Sequence, residues 1–199
     1  TPDAKVYEDY KELLKDESID VIHVCTPNRS HSFITIDSLE AGKHVMCEKP
    51  MAKTYEEAVL ACANGASSMT HVYNGMTPFN HRENGLVGAA FRLRTMYGEV
   101  ICDGNHSTTA ALNNFFMSKG PDYSIMVSDA LMAKGTPIGS KHIFGGNEIE
   151  IYPDGSAHLT SVGNLAGSTL KLNDGYKWDD GSTDNKYINC KIKEKRRVV

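Results

Sequence analysis

The sequence predicts an α/β chain with parallel strand pairing, a shorter β-rich stretch after it and a polar tail. Three observations lead there. Strand-like and helix-like apolar runs alternate as far as about residue 130. The strand-like runs are short and end at turn residues, with a helical run before the next strand, which implies crossover helices and parallel pairing. Beyond that point the pattern changes to short β segments around Pro153-Asp154-Gly155, and residues 171–199 lose helical spacing.

Taken in order, residues 6–16 (VYEDYKELLKD) carry apolar residues at helical spacing. Residues 20–26 (DVIHVCT) read as a strand that stops at Pro27-Asn28. Residues 31–42 return to helical spacing and end at Gly42, and His44–Cys47 reads as the next strand, running into a turn at Pro50. Residues 54–64 (TYEEAVLACAN) predict a helix with Thr54 as N-cap, Glu57 completing a capping box and Gly65 ending it. A strand over 69–73, a polar loop over 74–84, a small-residue helix over 86–96 and a strand over 99–102 follow. Then come a loop with Asp103 and His106, a helix over 108–118, a strand over 123–128 and a Gly- and Pro-containing loop over 134–146. Two β segments, 148–152 and 157–160, complete the pattern.

The chain has 199 residues, 40% hydrophobic and 23% charged, with a net charge of −4, which suits one or two globular domains and argues against nucleic acid as partner. The basic run over 191–197 (KIKEKRR) reads as a solvated tail. Five cysteines are scattered without C-x-x-C spacing, so neither a disulfide framework nor a structural zinc site is expected, and a reducing cytoplasm fits. No apolar run reaches the length of a membrane span, and no membrane partner is expected. The start at Thr1-Pro2, without an initiating Met, reads as that of a fragment, with processing or trimming as the alternative.

Residues 20–58 read DVIHVCTPNRSHSFITIDSLEAGKHVMCEKPMAKTYEEA. With the residues before it, this stretch (1–58) resembles the glucose-fructose oxidoreductase/inositol dehydrogenase (Gfo/Idh/MocA) family, through a T-P-N-x-x-H turn after one strand and an E-K-P turn after the next. The resemblance implies a partial Rossmann-like unit in which Thr26, Pro27, Asn28 and His31 flank a dinucleotide, and Glu48, Lys49 and Pro50 line the site. Loops after the C-terminal ends of parallel strands form such a crevice. The glycine-rich G-x-G-x-x-G turn that would hold the pyrophosphate has no counterpart, so NAD(P) is not expected to bind. The plainer reading of His31 and Lys49 is as surface residues.

Residues 54–170 resemble N-acetylglucosamine-6-phosphate deacetylases, enzymes of the amidohydrolase superfamily. The blocks are GASSMTHVYNGMTPFNHRENGLVGAA (65–90), VICDGNHSTTAAL (100–112), IMVSDALMAKGTPIG (125–139) and LAGSTL (165–170), in family order. The resemblance implies part of a (β/α)8 barrel, a divalent metal (zinc or iron), an amino-sugar phosphate as substrate and homo-oligomers, a homodimer among them. By position His71 would be a metal ligand, His106 would contact the acyl group and Asp129 would serve as general base and then acid. Asn74, Gly75 and Arg82, with His81 assisting, would hold the sugar phosphate. Amide hydrolysis needs an activated water, a polarised carbonyl and a carboxylate to move protons, and an arginine suits phosphate through paired N–H donors. Plainer readings stand beside these: His71 as a hydrogen-bonded structural residue, Asp129 as the cap of a helix from Ala130, Arg82 paired with a surface carboxylate, and His142 and His158 as surface residues.

Two of the family's metal ligands lack counterparts: an upstream glutamate, and a histidine in whose place Pro50 falls. A catalytic zinc site usually takes three protein ligands. The sequence thus predicts a mosaic: a partial Rossmann-like fragment over 1–53, part of a deacetylase-like barrel over 54–170 and a polar tail of unknown type over 171–199. The helix beginning Thr54-Tyr55-Glu56-Glu57-Ala58 satisfies both patterns, which places the join near Lys53 and Thr54. The function expected is that of a cytoplasmic, metal-dependent hydrolase type that releases acetate from N-acetylglucosamine 6-phosphate, catalytically incomplete in this chain. A fragment of an NAD(P)-dependent sugar oxidoreductase and a non-catalytic mosaic are the alternatives.

Overall fold

Residues 3–172 are described by a computed structural model, in which the chain divides into two units, Thr1–Tyr97 and Gly98–Val199. The readings of the basic run and of the polar tail beyond residue 172 lie outside the described residues. Among the described residues no helix is long and apolar enough to cross a membrane, and Cys25, Cys47 and Cys62 are free thiols.

In the first unit, α1 is shorter than its apolar spacing suggests, Tyr10–Leu14, and starts on Asp9, whose side chain accepts from the Lys11 N–H. Strand β1 (Val21–Val24) pairs in parallel with β2 (His44–Cys47), and α2 (His31–Glu40) is the crossover between them. Helix α3 (Tyr55–Ala63) begins on the expected capping box: Thr54 Oγ1 accepts from the Glu57 N–H at 3.2 Å, and Glu57 Oε2 accepts from the Lys53 and Thr54 N–H groups at 2.7 and 3.2 Å. Strand β3 is only Ser68–Met69, because a run of turns begins at Thr70, so the strand expected to reach residue 73 stops early.

Helix α4 (Gly85–Arg92) buries Leu86, Val87, Ala89 and Ala90 and packs on α3, whose buried Ala58 and Ala61 leave room for close approach. It ends four residues earlier than its apolar run predicts. Thr77 sets its start: the Thr77 hydroxyl accepts from the Leu86 N–H at 2.7 Å and donates to the Lys53 carbonyl at 3.0 Å. Gly85 has φ +57, and a Cβ there would lie 2.3 Å from the Pro78 carbonyl oxygen, so only glycine fits.

In the second unit, β4 (Tyr97–Ile101) runs parallel to β5 (Ser124–Val127) with Gly98 opposite Ser124, and α5 (Thr109–Lys119) crosses between them from an N-cap at Thr108. Phe115 of α5 is fully buried and lies against Gly98. Next comes an antiparallel meander of β6 (Lys141–Phe144), β7 (Asn147–Ile151) and β8 (Ala157–Leu159). Strand β6 falls where the sequence reads as loop. It is made by the Gly145-Gly146 turn, with φ of 57 and 80, a left-handed pair suited to a tight hairpin. The meander's apolar face, Ile149, Ile151 and Ala157, packs with Leu131, Ala133 and Ala166 into one core.

Candidate functional site

Three non-glycine residues among those described have positive φ: His71 (36), Tyr73 (80) and Asp129 (46). Side chains avoid that region because of steric cost, and such strain gathers at functional sites. Two of the three are residues singled out by sequence, and the third is two positions from His71.

In the first unit His71 is buried in the turn that follows β3, and its Nδ1 is buried without a hydrogen-bond partner. The strand expected to hold it ends at Met69, two residues short, and the reading of His71 as a satisfied structural histidine fails at that nitrogen. Tyr73 is half-buried, its hydroxyl pushed up to about 12 by burial, with its ring edge-on to Phe91 at 6.0 Å. The Asn74 N–H closes the turn onto the His71 carbonyl at 2.9 Å, and Gly75 follows with φ +64. His81 and Arg82 are exposed in the loop before α4; the Arg82 N–H donates to Asn80 Oδ1 at 2.9 Å, and its guanidinium pairs with no carboxylate among the described residues.

In the second unit His106 lies in the loop after β4. Its Nδ1 is 2.7 Å from Asp103 Oδ2, and the side chains are 7% and 9% exposed. Asp103 Oδ1 also accepts from the Asn105 and His106 N–H groups, each at 2.9 Å. Burial pushes the Asp103 carboxyl up, but the His106 side chain and the two backbone donors outweigh it and hold it below its ordinary range. The carboxylate therefore fixes Nδ1 as the protonated nitrogen and leaves Nε2 to act on a neighbour. Asp129 stands exposed after β5. No helix starts at Ala130, which instead bridges to Ser168, so the capping reading of Asp129 is set aside.

Sequence reasoning missed Asp103 and Ser168 as supports. Asp103 was visible as a carboxylate three positions before His106. Ser168 lies in the LAGSTL block: its N–H donates to the Asp129 carbonyl at 2.9 Å, its carbonyl accepts from the Leu131 N–H at 2.8 Å, and its hydroxyl donates to the Ser128 carbonyl. That block thus pins the strained loop that carries Asp129. His142 and His158 are partly buried rather than surface residues. His142 Nε2 lies 3.0 and 3.1 Å from the Ser140 and Thr136 hydroxyls, and His158 stacks on Tyr152 at 4.1 Å.

The oxidoreductase-type residues separate. Thr26, Pro27 and Asn28 are exposed in the turn after β1. His31 is 1% exposed, not a surface residue; its Nδ1 lies 2.8 Å from the Pro50 carbonyl oxygen and its Nε2 2.6 Å from that of Thr26. It ties the two turns together, a structural use of both ring nitrogens. Glu48, Lys49 and Pro50 line a cavity of about 520 Å³ in the first unit.

The described side chains do not fit a catalytic metal. Among them no three His, Cys, Asp or Glu groups come together, and His71 offers one nitrogen where such an ion usually takes three protein donors.

A family model for an oxidoreductase family with an NAD-binding Rossmann fold matches residues 1–73. The N-acetylglucosamine-6-phosphate deacetylase of Bacillus subtilis (strain 168) is 43% identical over 115 residues, 58% of this chain and 28% of that protein. That of Lysinibacillus sphaericus is 32% identical over 171 residues, 86% of this chain and 43% of that protein. Among solved structures, the N-acetylglucosamine-6-phosphate deacetylase from Pasteurella multocida superposes with a TM-score of 0.66 at 26% identity, covering 87% of this chain and 45% of that one. The Thermotoga maritima enzyme gives 0.66 at 25% identity, covering 81% and 43%. The chain therefore spans less than half the length of these relatives. It is a mosaic of two resemblances: an α/β chain with an oxidoreductase-like beginning whose fold is that of part of a deacetylase barrel.

Proposed function

We propose that this chain carries substrate-recognising and proton-handling parts of an N-acetylglucosamine-6-phosphate deacetylase and is catalytically incomplete as it stands. The observation that carries the reading is the backbone strain at His71 and Asp129, the two positions where the resemblance puts chemistry. A segment that records only ancestry has no reason to keep both in a costly conformation.

The roles follow by resemblance and residue chemistry. Arg82, free of carboxylates among the described residues, with Asn74, Gly75 and His81, recognises a sugar phosphate. His106, held through Nδ1 by Asp103, presents Nε2 as an acceptor toward the N–H of the substrate's acetamido group, and Asp129 accepts and returns a proton. Among the described residues, activation of the attacking water lacks a donor set, so no turnover is assigned. The parts are those of the division into residues 1–53, 54–170 and 171–199, which we keep as one of resemblance.

The test is acetate release from N-acetylglucosamine 6-phosphate with zinc supplied, run beside equilibrium binding of the same compound. Saturable binding that Arg82→Ala weakens, with acetate release no faster than in buffer, is the expected result. Acetate release that Asp129→Asn abolishes would overturn the incompleteness, and absence of binding would overturn the recognition.

A further inference from the structure

The cavity in the first unit belongs to neither resemblance alone. Its walls combine Lys43–Met51, from the oxidoreductase-like stretch, with Gly65–Ser68, Thr70 and Met76, from the deacetylase-like one. Thr26, Pro27, Asn28 and His31 are not among its lining residues, so it is not the crevice beside the first turn. At about 520 Å³ it falls within the roughly 300–1,000 Å³ typical of small-molecule sites.

Backbone geometry supplies donors. The His44 and Glu48 N–H groups bond back to Asp20 and Val24 across the β1–β2 ladder, each at 2.9 Å. In a strand, alternate residues turn their peptide groups to opposite sides, so the Val45 and Cys47 N–H groups point away from β1. No strand pairs with β2 on that side among the described residues, and Val45 and Cys47 line the cavity there.

Side chains set the charge of the lining. The lining charges are Lys43, Lys49 and Glu48, an excess of one cation. Lys43 Nζ is engaged with the Asp16 carbonyl at 2.9 Å, whereas Lys49 pairs with no carboxylate among the described residues. Thr35 belongs to the lining as well, with its Oγ1 sealed from solvent beside the Cys47 sulfur.

We propose that this cavity is a binding site for a small oxyanion-bearing molecule, with the phosphate or carboxylate against Lys49 and the Val45 and Cys47 N–H groups. The site is independent of the deacetylase reading, because none of the residues named for that chemistry lines it.

The test is a backbone amide NMR titration of the whole chain with inorganic phosphate, and separately with malonate, at constant ionic strength so that screening of exposed lysines does not mimic binding. Saturable shifts at Val45 and Cys47 together with Ser67–Thr70 are expected for at least one probe, and the stronger probe tells phosphate from carboxylate. Lys49→Gln, an exposed position whose exchange leaves the fold intact, is expected to weaken that binding about tenfold. Thr35→Val, of equal shape and replacing a hydroxyl sealed from solvent, is expected to leave it unchanged. Linear shifts confined to lysines, or saturation unchanged by Lys49→Gln, would overturn the proposal. So would shifts at Val45 and Cys47 that depend on protein concentration and ignore both probes, since a strand of a second copy would then occupy the edge. Acetate release bears on none of these readouts.

Discussion

Replacing Asp103 by Asn is the sharpest probe of the second unit. The carboxylate accepts three hydrogen bonds, at 2.7 Å from His106 Nδ1 and 2.9 Å from each of two backbone N–H groups. Asparagine has the same shape and keeps an oxygen for the backbone donors, but presents an NH₂ group to His106. The imidazole must then accept at Nδ1 and carry its proton on Nε2, so the substitution inverts the tautomer without opening a cavity. The net loss is the difference between a hydrogen bond to a charged group and one between neutral groups, for side chains 9% and 7% exposed, about 1–1.5 kcal/mol. The carboxyl is held below its ordinary range, so its contribution is fully present above the unfolded value near 4 and is lost as pH falls through the lower folded value. Urea unfolding should therefore show the difference between wild type and Asp103→Asn at neutral pH and shrink it in acid. Nitrogen NMR of the His106 ring reads the tautomer directly. A wild-type ring protonated only on Nε2, or a stability gap that widens in acid, would refute the reasoning.

Other substitutions test the frame around the candidate sites. Gly98→Ala drives a Cβ to 2.7 Å from the ring of fully buried Phe115 and should cost about 1–3 kcal/mol in urea unfolding. Gly85→Ala meets backbone oxygen at 2.3 Å and holds φ +57, so at least about 1–2 kcal/mol is expected from the conformation alone, with amide exchange at the start of α4 accelerated. Thr54→Ala removes one half of the capping box and should lower stability by about 1 kcal/mol, with Thr54→Asp largely restoring it. Since no three donors come together among the described residues, zinc or a chelator should leave the thermal midpoint of the first unit unchanged; a rise with zinc would show a donor set beyond them.

Much of this frame was legible because its signals are local. The start of α3 and the extent of β2 follow from caps, alternation and turn residues, as do the parallel pairings. What escaped depends on partners far along the chain. Strand β6 exists because its register with β7 is set by a glycine pair that reads equally well as loop. His31 looked exposed in a polar turn, and only the arrival of Pro50 from 19 positions away buries it. The strand expected through His71 gave way to turns, and no periodicity announces the left-handed backbone that replaces it. The candidate residues themselves were legible from ordered motif blocks, while the supports of those residues, Asp103 and Ser168, emerge only from geometry.

The capping box at the start of α3 has a consequence for how far a disturbance travels along the chain. Its reciprocal bonds run only among Lys53, Thr54 and Glu57, so the residue at which helical winding begins is dictated within five consecutive positions. Sequence upstream can differ in kind without shifting the phase of what lies downstream. The faces of α3 and the turn at Gly65 keep their angular setting whatever precedes Lys53. The box works as an insulator of register, and it stands at the position where two unrelated sequence patterns agree.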